Sequence, residues 1–411
     1  MKVLGSLCLL LVVASPVHAQ RDSVSTLVDR YVAWRGGVAY RDVTSIHEQG
    51  RVSAAGLTGT FERFAGRDGR EYTHARLGSI ESATGVSPAG NWNENQGVVQ
   101  EMDSGSAVDT RRSIALELGD ALLGRGGASV TRVPDESRDG SSWAVLRVTF
   151  GGPDRYDVFL YGATGALDGW RITEDRVTHF RRFGEWRTVS GVRMPFLTED
   201  LYDNRAENSV QHDDSIALGA PLPDSLFARP ASVKMARFGG GRTESDPVPF
   251  TFFRQRQIYI AAKVNGHPVD LLLDSGAGRT VIDKTYADSI GLTTEGKGVA
   301  NGTGGQMGTS FARDVLVTVG TMTLRVPTAV VIDLSGVEKL VGRPMHVILG
   351  ADVFKEVVVD IDFAKHSIAF HDPATFHPPA GADTVPITPG ASSRTVPVRI
   401  ENGPPVQVDF D

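Results

Sequence analysis

The sequence predicts an α+β domain, a curved antiparallel sheet packed with helices, followed by an all-β domain and the truncated start of a second copy of it. Three observations predict this. Before residue 217, apolar residues recur at helical spacing in two short stretches and alternate like strands almost everywhere else. A compact β-patterned region then lies between two segments rich in Gly, Pro and charge. Finally, NGHPVDLLLD (Asn265 to Asp274) returns as NGPPVQVDFD (Asn402 to Asp411) at a constant offset of 137 residues.

Length and composition bound the possibilities. The 411 residues allow two or three domains, and an apolar fraction of 41% suffices for packed cores. A net charge of −7 without a concentrated basic stripe argues against a nucleic-acid partner. Residues 1–19 read as a secretory signal peptide: Lys2 is the positive start, Leu4 to Val13 is apolar but too short to span a bilayer, and Val17-His18-Ala19 offers a small-residue cleavage site. The sole cysteine, Cys8, lies inside it, so the mature chain has no disulfide, thiol nucleophile or Cys-based metal site. A bacterial periplasmic or secreted location is expected. No other stretch is long and apolar enough for a membrane span.

Residues 20–228 form the expected α+β domain. Val24, Leu27, Val28, Tyr31 and Val32 share one helical face, with Asp22 or Ser23 as cap and Gly36-Gly37 as terminator. Ile114, Leu118, Ala121 and Leu122 predict a second helix over Thr110 to Leu123. SWAVLRVTF, RYDVFLYG and WRITEDRVTHF are the clearest strand patterns, and the turn GATGAL separates two of them. The opening LVDRYVAWRGG, the strand ladder and VSGVRMPF (Val189 to Phe196) together resemble the lipoprotein-carrier-like domains of bacterial envelope proteins. The resemblance implies a half-barrel with an apolar groove. A scaffold with an ordinary core is the alternative. Residues 229–255 read as a linker, 256–372 as the β domain, 373–394 as a second linker, and 395–411 as the start of the repeat.

The chemistry centres on QIYIAAKVNGHPVDLLLDSGAG. Asn265-Gly266 is a strong hairpin signal. The strand after it, Val269 to Leu273, is apolar apart from Asp270, which predicts burial on both faces at its end. An aspartate there, Asp274, is costly unless its charge is used or hydrogen-bonded. Ser275 and Gly276 supply a sharp turn whose N–H groups can reach the carboxylate. LLLDSGAG resembles the active-site loop of retropepsin-like aspartic proteases, and the order of later segments keeps the resemblance: VANGTGGQMGTS (Val299 to Ser310) stands where that family has its flap, and HVILGADVF (His346 to Phe354) resembles its second hallmark.

The resemblance implies a retropepsin-like acid protease barrel in which Asp274 is catalytic, with Ser275, Gly276, Ala277 and Gly278 supporting the loop. It places Gly302, Thr303, Gly304 and Gly305 in the flap, and Ile348-Leu349-Gly350 as a buried strand behind the loop. Asp352 is expected at a helix N-terminus, and Asp283, Asp360 and Asp362 at turns or on the surface. His267 and His346 lack metal-ligand spacing, so no metal and no cofactor are expected.

Aspartic proteolysis needs two carboxylates sharing one proton. One such domain supplies one. The repeat suggests that this sequence is a fragment whose Asp411 pairs with Asp274 in a completed second lobe. The alternative is a C2 homodimer with two Asp274 residues. The expected function is an exported aspartic endopeptidase acting on peptide or protein substrates. The rival is a non-catalytic envelope protein that holds lipid or peptide in the N-terminal groove.

Overall fold

The structure, a computed structural model, describes residues 22–138, 140–174, 177–302, 305–389, 394–401 and 403–409. Fourteen strands between Ser45 and Leu218 form one antiparallel sheet. Its middle is the pairing of Ser45–Ala54 with Leu57–Gly66 on one side and with Ser209–Leu218 on the other, so the last strand of this region closes against the first.

The first helix, Val24–Arg35, forms as the pattern predicts. Ser23 is the cap, its hydroxyl accepting the Thr26 N–H at 3.2 Å, while Asp22 pairs with Arg30 at 2.6 Å. The helix ends at Gly36, where φ is +135° and a Cβ would lie 2.4 Å from the Gly191 carbonyl. Only glycine permits that approach, which joins the helix end to the turn in VSGVRMPF. Leu27, Val28, Tyr31 and Val32 enter one core with Leu146, Tyr156 and Trp170 of the sheet.

Two local expectations are corrected. The second helix runs over Ser104–Glu117, earlier than Thr110 to Leu123, because Asp103 caps it by accepting the Ser106 N–H at 2.9 Å. Leu118, Ala121 and Leu122 are buried all the same, but in the turns that follow. WRITEDRVTHF is not one strand: Leu167–Glu174 and Val177–Gly184 pair antiparallel.

The second sheet has eleven strands, from Ala236–Phe238 to Ser367–His371. Two of them, Ala236–Phe238 and Val248–Phe253, come from the stretch expected as a linker. Met235 and Phe250 hold that stretch down by burying their side chains. The strand order brings Val281–Asp283, Val347–Leu349 and His267–Leu273 side by side, and Gln257–Val264 pairs with Gly305–Val319 as well as with its hairpin partner. A small third sheet joins Thr388–Pro389, Arg394–Arg399 and Pro405–Asp409. Among the described residues no helix is long and apolar enough to cross a membrane.

The groove of the first sheet departs from the apolar one that the resemblance implied. The space between it and the helix Ser104–Glu117 is lined by Arg35, Arg63, Arg181, Glu48, Glu71 and Glu117 beside several aromatic rings. Arg63 donates to Glu48, Glu71 and Glu117, each at 2.8 Å. Burial pushes the Glu48 carboxyl up to about 7 in spite of Arg63. Burial, then the charges of Glu48 and Glu117, push Asp213 up to about 8.

These shifts fix a sign. An acid whose folded-state pKa is raised stabilises the fold below its unfolded value and loses that contribution as pH rises through the folded value. Stability is therefore expected to fall between about pH 4, the ordinary carboxylate value, and about pH 8, and to level off above it. Asp213→Asn should shrink that fall, as measured by urea midpoints at the two pH values.

Candidate active site

The site grows from the hairpin of Gln257–Val264 and His267–Leu273. Asn265 (φ +48°) and Gly266 (φ +86°) both take the left-handed conformation that a two-residue turn of this type requires. The turn is tied to the neighbouring strand: the Leu316 N–H donates to Asn265 Oδ1 at 2.8 Å, and the Asn265 N–H to the Leu316 carbonyl at 2.9 Å. Leu271, Leu272 and Leu273 are buried, and they pair in parallel with Val347, Ile348 and Leu349, also buried. A parallel pair of this kind is sheltered on both faces, which suits an uninterrupted apolar run.

Asp274 sits where this pair ends. Its N–H donates to the Leu349 carbonyl at 3.1 Å, extending the ladder by one bond. The chain then turns back over the carboxylate. Asp274 Oδ1 accepts the Gly276 N–H at 2.9 Å and the Ala277 N–H at 3.2 Å. The carboxylate is half-buried, as is Ser275, whereas Gly276 and Gly278 are exposed.

The loop is clamped from behind. The Ala351 N–H donates to the Ala277 carbonyl at 2.8 Å, and the Thr280 N–H to Asp352 Oδ2 at 2.5 Å. A Cβ on Gly350 would lie 2.3 Å from the Arg279 carbonyl and 2.7 Å from the Ala277 carbonyl. The backbone approach expected of Gly350 is thus geometrically required. Asp352 stands in the first turn of the helix Ala351–Glu356, as its position suggested, but sequence reasoning missed its second task of holding the loop. An acid following a hallmark glycine was the available signal.

Asp283 was read as a turn or surface carboxylate. It is buried instead, capping Lys284–Ser289 through the Tyr286 N–H at 3.0 Å and accepting the Leu334 N–H at 3.0 Å. Two buried backbone donors need that acceptor. His346 stacks on the Tyr286 ring, with centroids 5.2 Å apart, and His267 is exposed. Among the described residues no group of three or more His, Cys, Asp and Glu is placed to hold a metal ion.

The flap-like segment is a hairpin of Thr294–Gly302 and Gly305–Val319, with Gly302 opposite Gly305. Thr303 and Gly304 lie outside the described residues. Met307 on this hairpin and Ala277 in the loop pack against one apolar cluster containing Tyr259, Leu272 and Ile348. The structure therefore brings together Asp274, its loop, the strand behind it and the hairpin. One carboxylate in this setting can polarise a water beside an apolar wall.

Asp411 lies outside the described residues. The hairpin that precedes it does recur: Arg394–Arg399 pairs with Pro405–Asp409. Its register differs by one residue, since Ala262 faces Val269 in the first copy while Arg399 faces Pro405 in the second. Pro404 stands in the place of His267, which pairs with Val264 next to the first turn, and it lacks that residue's N–H. Val406 and Val408 are exposed there, whereas Val269 and Leu271, 137 residues upstream, are buried.

Residues 260–353 match the family described as aspartyl protease. DNA damage-inducible protein 1 of Cryptococcus neoformans var. neoformans is 28% identical over 180 residues, covering 43% of this chain and 35% of that protein. The chain thus spans about a third of the length of this curated relative. Among solved structures, a retropepsin-like aspartic protease from Rickettsia conorii aligns at 17% identity and a TM-score of 0.22, over 31% of this chain and 89% of its own. A LolA superfamily protein from Nitrosomonas europaea aligns at 13% identity and a TM-score of 0.32, over 51% and 99%.

A methyl at position 350 must displace two backbone carbonyls. Gly350→Ala is expected to cost roughly 1–3 kcal/mol, the usual range for forced overpacking, read from the denaturation midpoint. An unchanged midpoint would contradict the clamp.

Proposed function

We propose that this chain, whose residues 260–353 form a retropepsin-like aspartic protease domain, is an exported aspartic endopeptidase. The observation that supports this reading is the placement of Asp274. Its main chain is bonded to Leu349, one carboxylate oxygen is held by the Gly276 and Ala277 N–H groups, and the side chain remains half-exposed.

The reaction needs a second carboxylate facing the same water. Two carboxyls held close cannot both ionise, so they share a proton and titrate as a unit. The ionised one takes a proton from water as the water oxygen attacks the peptide carbonyl. The protonated one gives its proton to the carbonyl oxygen. The second acid comes from Asp411, in the repeat that begins near Thr395, or from the partner subunit's Asp274. Ala277 and Met307, half-buried over the apolar cluster of Tyr259, Leu272 and Ile348, form the wall against which an extended peptide would lay its side chains. Export rests on residues 1–19 alone, and it puts the activity in the periplasm or outside the cell.

Asp274→Asn removes an acceptor of the water proton while keeping the side chain's size. Cleavage of a protein substrate such as casein is expected to drop by at least about 100-fold, with the unmutated activity highest at mildly acidic pH and sensitive to pepstatin. Undiminished turnover in the Asn variant would remove Asp274 from the mechanism.

A further inference from the structure

The cavity between the first sheet and the helix Ser104–Glu117 holds about 530 Å3, within the range of small-molecule sites. Its charges are unevenly satisfied. Each carboxylate that lines it already accepts from an arginine. Glu48, Glu71 and Glu117 take the donors of Arg63, Asp200 takes two from Arg181 at 2.7 and 3.0 Å, and Asp109 accepts from Arg112 at 2.9 Å.

Arg35 differs from the other two lining arginines. It is 2% exposed, and among the described residues it pairs with no carboxylate. Its Nη1 donates to the Tyr31 hydroxyl at 2.9 Å, its Nη2 reaches only the Met194 sulfur at 3.4 Å, and its Nε has no acceptor. The guanidinium lies 4.3 Å from the Tyr40 ring centroid and 5.5 Å from that of Trp186. The rings offset part of the burial cost of the charge, but they supply no acceptor for the Nε–H. Glu117, whose charge reaches Arg35, has both oxygens committed to Arg63. Beside Arg35 the wall turns apolar: Trp170 and Phe183 meet edge to face at 4.8 Å, and Phe183 meets Trp186 at 6.2 Å.

Arg35 lines the cavity, and a charged Nη2 whose partner is only a thioether sulfur, a weak acceptor, calls for a better acceptor from outside the chain. A cationic ligand would have to share carboxylates that arginines already engage. A purely apolar ligand leaves the Arg35 Nη2 with the Met194 sulfur alone. We propose that this cavity binds an amphipathic organic carboxylate, with its head on Arg35 and its apolar body against Trp170, Phe183 and Trp186. This is a ligand site separate from the Asp274 loop, and it does not depend on peptide cleavage.

The test uses the full chain and three matched probes: 4-phenylbutyrate, 4-phenylbutan-1-ol and 4-phenylbutylamine, titrated by calorimetry at fixed salt. The acid is expected to bind at least about tenfold tighter than the alcohol, the difference that a charge-assisted hydrogen bond supplies, and the amine no tighter than the alcohol. Arg35→Met should bring the acid down to the affinity of the alcohol, while Trp186→Ala should weaken both. Equal affinity of acid and alcohol on the unmutated protein overturns the proposal, and that comparison stands even if the Arg35 variant does not fold. Tighter binding of the amine overturns it too, as does an acid affinity untouched by a folded Arg35→Met variant, or no acid binding at about 5 mM.

Discussion

One backbone hydrogen bond, from the Asp274 N–H to the Leu349 carbonyl, sets the geometry on which the rest of the site depends. It is the final rung of a short parallel ladder whose residues on both strands are buried. Buried backbone groups must be paired, so the position of Asp274 follows from the pairing of Leu271–Leu273 with Val347–Leu349. The chain then has to leave a crowded interior at once. It does so by spending its own polar groups: one Asp274 oxygen on two N–H groups, the Ala277 carbonyl on Ala351, and the Thr280 N–H on Asp352. Each bond contributes only about 1 kcal/mol net. Leaving any of them unmade beside a buried strand costs more, which is what gives the loop a single arrangement.

Much of this was legible in the sequence because the signals were local. The Asn265-Gly266 turn, the apolar run before Asp274 and the glycine of HVILG each depend on residues within a few positions of themselves, and each stands where the pattern put it. The first helix and its Ser23 cap are legible for the same reason. What escaped depends on partners far apart in the chain. Asp283 looks like a surface turn until Leu334 arrives to be bonded, and Asp352 looks like a helix-start residue until the Thr280 N–H is placed against it. The one-residue difference between the two NG hairpins follows from Pro404, a substitution that the matching residues around it conceal.

The first sheet gives the largest departure. A resemblance implied an apolar groove, yet Arg63 binds three carboxylates there and Arg35 is caged among aromatic rings. Alternation along single strands cannot reveal this, because Glu48, Glu71 and Arg63 sit on three neighbouring strands and Glu117 on a helix. The two sheets also touch beside the hairpin that faces the Asp274 loop. The strand Thr294–Gly302 departs from its ladder between Glu295 and Gly298, and the Lys297 N–H turns to the Ala55 carbonyl, at 2.5 Å, in a hairpin turn of the first sheet. The two sheets are therefore joined through a backbone contact as well as through the intervening chain.

The central claim is that Asp274 faces a second carboxylate across one water. It is tested most directly by a crystal structure of the protein with a statine-type inhibitor, whose hydroxyl occupies the place of that water. The account predicts the hydroxyl within hydrogen-bond distance of both Asp274 and a second aspartate, with the inhibitor's side chains against Ala277 and Met307. An inhibitor bound elsewhere, or an Asp274 carboxylate with no second acid across from it in the bound complex, would contradict it.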